Sequence, residues 1–118
     1  MGKVTLSLIV LKTRQLDTLR KFYTSLGINL IEEKHGKGPV HYAGRIDDTV
    51  MEVYSLSEKD TQPDATTRLG FTVEKLEEVM EALKLLGTCI VTEPQVTEWG
   101  YRAVVKDPDG RVIEIYQR

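Results

Sequence analysis

Two glutamates stand where strand-borne carboxylates could do chemistry: Glu52 in Val-Met-Glu-Val-Tyr and Glu114 in Val-Ile-Glu-Ile-Tyr. Apolar neighbours at the two-residue period of a strand put each carboxylate on the face opposite theirs. A carboxylate so placed must be hydrated, paired or bound to something. It is either a solvated or ion-paired residue in a wet cleft, or a group that recognises a polar ligand and acts as a general base if burial raises its pKa. His41 offers a proton shuttle or a substitute metal ligand near Glu52, against the plainer reading of a hydrogen-bonded strand histidine. His35 lies in Glu33-Lys-His-Gly-Lys-Gly-Pro39, a hairpin connection or lid that lacks the strand-then-helix context of a phosphate-binding loop. Tyr54, Tyr101, Tyr116 and Trp99 are flat rings beside polar groups and suit ligand stacking, although Trp99 before Gly100 also suits a subunit interface. Cys89, the single cysteine, sits in Thr88-Cys-Ile-Val-Thr92 and reads as a small buried hydrophobe.

The elements that position these groups repeat. Leu16, Leu19, Phe22/Tyr23 and Leu26 recur at helical spacing and end at Gly27; Leu76, Val79/Met80, Leu83 and Leu86 do the same and end at Gly87. Each glycine is placed as a left-handed C-terminal cap, and Asp17 and Glu77/Glu78 suit the first-turn dipole. The same 60-residue offset lays Ser7–Lys12 on Thr67–Thr72 and Ile28–Glu32 on Thr88–Thr92, all strand-like. Thr49–Ser55 follows His41–Ile46 across Asp47-Asp48, and Arg111–Gln117 follows Tyr101–Lys106 across Asp107-Pro-Asp-Gly110. The expected fold is α+β: two βαβββ modules in a curved, barrel-like mixed sheet with helices outside. The expected boundaries are one domain over 1–118, with module one at about 1–57, a polar linker at about 58–65 around Pro63, and module two at about 66–118.

Two-residue turns at Asp47-Asp48 and Pro108-Asp109 would set Ala43 opposite Glu52, His41 opposite Tyr54, Ala103 opposite Glu114 and Tyr101 opposite Tyr116. His41 and Tyr101 would then be equivalent positions. Met51/Val53 and Ile113/Ile115 would face the helices, packing on Leu16, Leu19, Phe22, Val79, Met80 and Leu83.

Phe22-Tyr-Thr-Ser-Leu-Gly27, Asp107-Pro-Asp-Gly110 with its following Val-Ile-Glu-Ile, and the paired βαβββ order resemble the vicinal-oxygen-chelate superfamily. That superfamily includes glyoxalase I, bleomycin-resistance proteins and extradiol dioxygenases, and the resemblance spans nearly the whole chain. It implies a small-molecule site in a cup between the modules, and a homodimer. Metal-using members draw one ligand from the first and one from the last strand of each module. The resemblance carries those positions to Leu8, Glu52, Arg68 and Glu114. Leu8 has no donor atom and Arg68 is a permanent cation, so only Glu52 and Glu114 could ligate. Two carboxylates make a poor transition-metal site, and Arg68 would pair with Glu52 or Glu114 instead.

The net charge of −2 comes from acids and bases mixed along the chain, which leaves no basic stripe for nucleic acid. No apolar run approaches a membrane span, and no export signal opens the chain, so a cytoplasmic location is expected, in keeping with the lone cysteine. The reading is a glyoxalase/bleomycin-resistance-like binder of a small molecule, with no cofactor expected and without the superfamily's full metal site. Arg68, Tyr101, Tyr54, Tyr116 and Trp99 would contact the ligand. The alternative is a lyase, isomerase or dioxygenase with a divalent metal, using Glu52 and Glu114, with His41 as a further candidate.

Overall fold

The computed structural model describes residues 2–60 and 62–118. Within module one, β1 (Leu8–Thr13) leads to α1 (Leu16–Ser25), then β2 (Ile31–Glu33), β3 (His41–Ile46) and β4 (Thr49–Ser55). Module two repeats the order with β5 (Leu69–Val73), α2 (Leu76–Leu85), β6 (Cys89–Thr97), β7 (Gly100–Lys106) and β8 (Val112–Gln117). Each module forms a four-stranded mixed sheet that is not closed: β1-β4-β3-β2 and β5-β8-β7-β6. The first strand runs parallel to the last, and the others are antiparallel. The polar connection expected at 58–65 lies between β4 and β5, and its Thr61 falls outside the described residues.

The helices stop where their glycines release them. Gly27 has φ 108° and Gly87 φ 77°, a region that strains any residue with a Cβ. At the end of α2 the amide of Thr88 donates to the Leu83 carbonyl (3.1 Å) and that of Gly87 to Lys84 (3.0 Å). This double closure satisfies carbonyls that the helix would otherwise leave unpaired. In α1 the matching bond runs from Ile28 to Tyr23 at 3.4 Å.

One face of each sheet is buried as the strand pattern requires. Met51 and Val53 in β4, and Ile113 and Ile115 in β8, are fully buried, as are Leu19 on α1 and Leu76 and Leu83 on α2. Burying each such side chain contributes about 1.5–3 kcal/mol. The opposite faces carry the polar groups at Glu52, Tyr54, Glu114 and Tyr116, which are only partly buried. Two sequence expectations change. Ile28–Leu30 lies outside the three-residue β2, although Ile28 and Leu30 are buried. Cys89 is exposed rather than buried, because it opens β6, which pairs on one side only.

The two β-hairpins that carry the glutamates differ by one residue. In module one Ile46 pairs with Thr49, so Asp47-Asp48 is a two-residue loop, with Asp47 at φ 51° as such a turn demands. In module two Lys106 pairs with Val112, and the Asp107 amide donates to the Arg111 carbonyl at 2.9 Å. The loop proper is Pro108-Asp109-Gly110, with Gly110 at φ 95°. Proline holds φ near about −65° and cannot supply the positive φ of a two-residue hairpin turn, so the chain takes a three-residue loop with its bulge at glycine. The expected register of module two is therefore corrected: Val104, not Ala103, faces Glu114, and Arg102, not Tyr101, faces Tyr116.

Candidate functional site

In module two the one-residue shift decides what surrounds Glu114. Tyr101 is carried to the helix side, where its hydroxyl donates to Glu77 at 2.5 Å, and that carboxylate raises the phenol's pKa. Arg102 takes the place expected for Tyr101 and pairs with Glu114. Arg68 adds a bond from Nε to Glu114 Oε2 at 2.7 Å, and the Tyr116 hydroxyl donates to Oε1 at 2.6 Å. The Tyr116 hydrogen bond first, then the charges of Arg68 and Arg102, hold the Glu114 carboxyl below its ordinary pKa. Glu114 is thus a committed anion and not a base waiting for a proton. Arg102 also lies 5.5 Å from the Trp99 ring centre and 5.9 Å from that of Tyr116. These five residues line a cleft of about 390 Å³, and Trp99 is 67% exposed on it.

The hairpin that supports this cluster is anchored by a second, fully buried pair. Asp107 accepts from the amides of Asp109 and Arg111 at 2.9 and 3.1 Å, and from the Arg111 guanidinium at 3.0 Å. Arg111 is bonded to Asp109 as well. The motif's two aspartates therefore hold a turn rather than meet a ligand.

Module one has the expected register, with Ala43 opposite Glu52 and the His41 and Tyr54 rings stacked at 4.2 Å. His41 is 1% exposed. Its Nδ1 lies 3.2 Å from the Pro39 carbonyl, which can only accept, so Nδ1 carries a proton. Among the described residues Nε2 has no hydrogen-bond partner, and it lies 3.7 Å from the Oε2 atoms of Glu33 and Glu52. His35 Nε2 is also 3.7 Å from Glu33 Oε2. Glu33 and His35 were not among the site residues expected from sequence. The register Glu33↔His41 across β2 and β3 is the signal that joins them, and it needs the placement of the short strand β2. Tyr54, beside both carboxylates, has its pKa raised by desolvation and then by the charges of Glu52 and Glu33. Glu52 and Glu33 line a cleft of about 620 Å³ that includes His35 and Arg45.

The positions carried over for a superfamily metal do not form a suitable donor set. Leu8 pairs with Val50 rather than with Glu52, is 51% exposed, and has no donor atom. Arg68 and Arg102 claim both oxygens of Glu114. An ion there would have to displace two guanidinium groups and stay beside their charges.

The fold has solved counterparts of low sequence identity. TnmS3, an antibiotic binding protein from Streptomyces sp. CB03234, superposes with TM-score 0.74 at 21% identity, covering 99% of this chain and 98% of its own. TioX from Micromonospora sp. ML1 gives 0.71 at 18% identity, over 97% and 98%. A glyoxalase I mutant from Zea mays gives 0.74 at 21% identity, matching 96% of this chain to 45% of the longer plant protein. Comparison with curated proteins found no match. Residues 5–115 match the Glyoxalase/Bleomycin resistance protein/Dioxygenase superfamily. With both βαβββ modules in place, the chain belongs to that superfamily.

Proposed function

We propose that this protein binds a small organic molecule on the polar sheet faces of its modules and does so without the superfamily's full metal site. The observation that carries the reading is the state of Glu114, whose carboxylate is bonded to Arg68, Arg102 and Tyr116 and so is withdrawn from metal ligation. What remains in module two is a rim of Trp99, Tyr116 and two guanidinium groups, which suits a flat ligand with a polar edge. An antibiotic-binding protein of the same fold supports sequestration as the role. In this reading residues 1–118 act as one glyoxalase-like domain, in the cytoplasm and as a homodimer. The exposed apolar stripe Val4, Leu6 and Leu8, leading into an edge strand, would suit a partner surface.

Trp99 is the single tryptophan and lines the module-two cleft, so its fluorescence reports on that site directly. A panel of aromatic antibiotics should contain ligands that quench Trp99 and raise the melting temperature, with both effects lost in Arg102→Ala. A second reading, a lyase, isomerase or dioxygenase that uses Glu52 with His41 and Glu114, is favoured only by the cluster of Glu33, His35 and His41 beside Glu52. Metal-dependent turnover that collapses in Glu114→Gln, with the fold intact, would replace the binding reading by this one.

A further inference from the structure

We infer that module one holds a divalent transition-metal ion between His41, Glu33 and His35, with Glu52, 3.7 Å from His41, turning in as the fourth donor. This site differs from the superfamily positions on the first and last strands of the two modules, sharing only Glu52 with them. It does not rest on the ligand-binding reading above.

His41 Nε2 carries the argument. The ring is buried, stacked under Tyr54 and fixed by its Nδ1–H on the Pro39 carbonyl, so in the neutral imidazole Nε2 is a bare lone pair. That lone pair lies 3.7 Å from each of two carboxylate oxygens. Such an arrangement is repulsive until a cation enters it. The separations are too long for hydrogen bonds. They are close to the edge, about 3.4 Å, of a tetrahedron of nitrogen and oxygen donors at ordinary zinc distances. One donor atom each from Glu33, His35 and His41 lie within 4.8 Å of one another. An imidazole that donates its other N–H to a backbone carbonyl is also the usual support for a histidine ligand, since it sets the tautomer and orients the ring.

Two imidazoles and two carboxylates favour zinc, nickel or cobalt over magnesium or calcium, which prefer oxygen alone. Three donors come from strand residues of one sheet: Glu33 on β2, His41 on β3 and Glu52 on β4. His35 comes from the β2–β3 connection and is exposed, with its side chain 75% accessible. The buried imidazole is thus in place before the ion arrives, and His35 closes over it afterwards. Glu33, His35 and Glu52 also line the adjoining cleft.

The test is binding of Zn²⁺ and Co²⁺ alone to the full chain, stripped with chelator, followed by calorimetry and by the visible spectrum of Co²⁺. The expected result is one ion per chain with micromolar or tighter affinity and an intense tetrahedral Co²⁺ spectrum. Glu33→Gln and His35→Ala, which change accessible side chains, should each weaken binding at least about 10-fold. His41→Ala should abolish it, and the two milder variants keep the test decisive should that protein not fold. Glu114→Gln should bind Zn²⁺ like the unaltered chain. No stoichiometric uptake would overturn the inference. Uptake that fails in Glu114→Gln but survives in Glu33→Gln and His35→Ala would overturn it equally, by placing the ion at the superfamily positions. Neither result depends on whether an antibiotic quenches Trp99, so failure of the metal site and failure of the binding reading can be told apart.

Discussion

In module two the strand carboxylate Glu114 accepts bonds from Arg68, Arg102 and Tyr116, whereas its counterpart in module one, Glu52, faces the unpartnered Nε2 of His41 with a second carboxylate, Glu33, beside it. The backbone design is the same in both: parallel first and last strands, a helix between them, and a hairpin that delivers the neighbour on the inner strand. A few side chains separate them. Where module two pairs Gln95 of β6 with Arg102 of β7, module one pairs Glu33 of β2 with His41 of β3. One surface is therefore a neutralised acid among cations, and the other is acid-rich with an imidazole lone pair turned into it. A duplicated scaffold can keep its hydrogen-bonded ladder while the charge on its polar face diverges, because alternate strand positions do not take part in the core.

The contrast breaks most visibly at the hairpins. Asp107→Ala removes one of two carboxylate partners of a guanidinium that is 1% exposed, together with the acceptor for two backbone amides, and should cost about 3–5 kcal/mol in urea denaturation. Equal loss from Asp47→Ala, in the other hairpin, would show that the two turns bear the same load.

Next in size is the pair of glutamates. Glu114→Gln should destabilise by about 1–3 kcal/mol, since two guanidiniums lose their anion, whereas Glu52→Gln in metal-free protein should stay within about 0.5 kcal/mol of the unaltered chain. The same chemical unfolding experiment measures both. A Glu52 effect as large as that of Glu114 would mean the module-one carboxylate is paired after all.

Acid sharpens the comparison further. Glu114 has a folded pKa below its unfolded value, so the stabilisation it gives is complete above the ordinary carboxylate range, about 4.3, and is lost as pH falls through the depressed folded value. The difference in melting temperature between the unaltered chain and Glu114→Gln should therefore be full at pH 7 and shrink below about pH 4. A difference that stays constant down to pH 2 would assign the effect to packing instead. The smallest expected effect is Asp47→Gly, which relieves a positive φ of 51° and should stabilise by about 0.5 kcal/mol. Proton exchange of the flanking strand amides would register it.

Much of the scaffold was legible in the residues. The glycine caps at Gly27 and Gly87, the alternation around Met51-Glu52-Val53 and Ile113-Glu114-Ile115, and the two β3–β4-type hairpins all follow from local stereochemistry that the chain carries in any context. An ion pair from Arg68 to Glu52 or Glu114 was legible too, because a permanent cation near a strand carboxylate has few better partners; that it is Glu114 came from the structure. Tyr101 takes the place that belongs to Arg102 only if the loop has two residues, a length that Pro108 contradicts. Glu33 could not be found in the same way. Its strand has only three residues, and nothing local distinguishes Glu33 from Glu32 as the one that meets His41.

Taken alone, the sequence determined two βαβββ modules, their helix caps, where the turns fall, and which faces are apolar, since dihedral preference and two- or 3.6-residue periodicity act over a few neighbours. Only the tertiary structure decided which carboxylate is neutralised and which is left facing a lone pair. That outcome depends on strand register, where one residue more in a loop moves every following side chain to the other face.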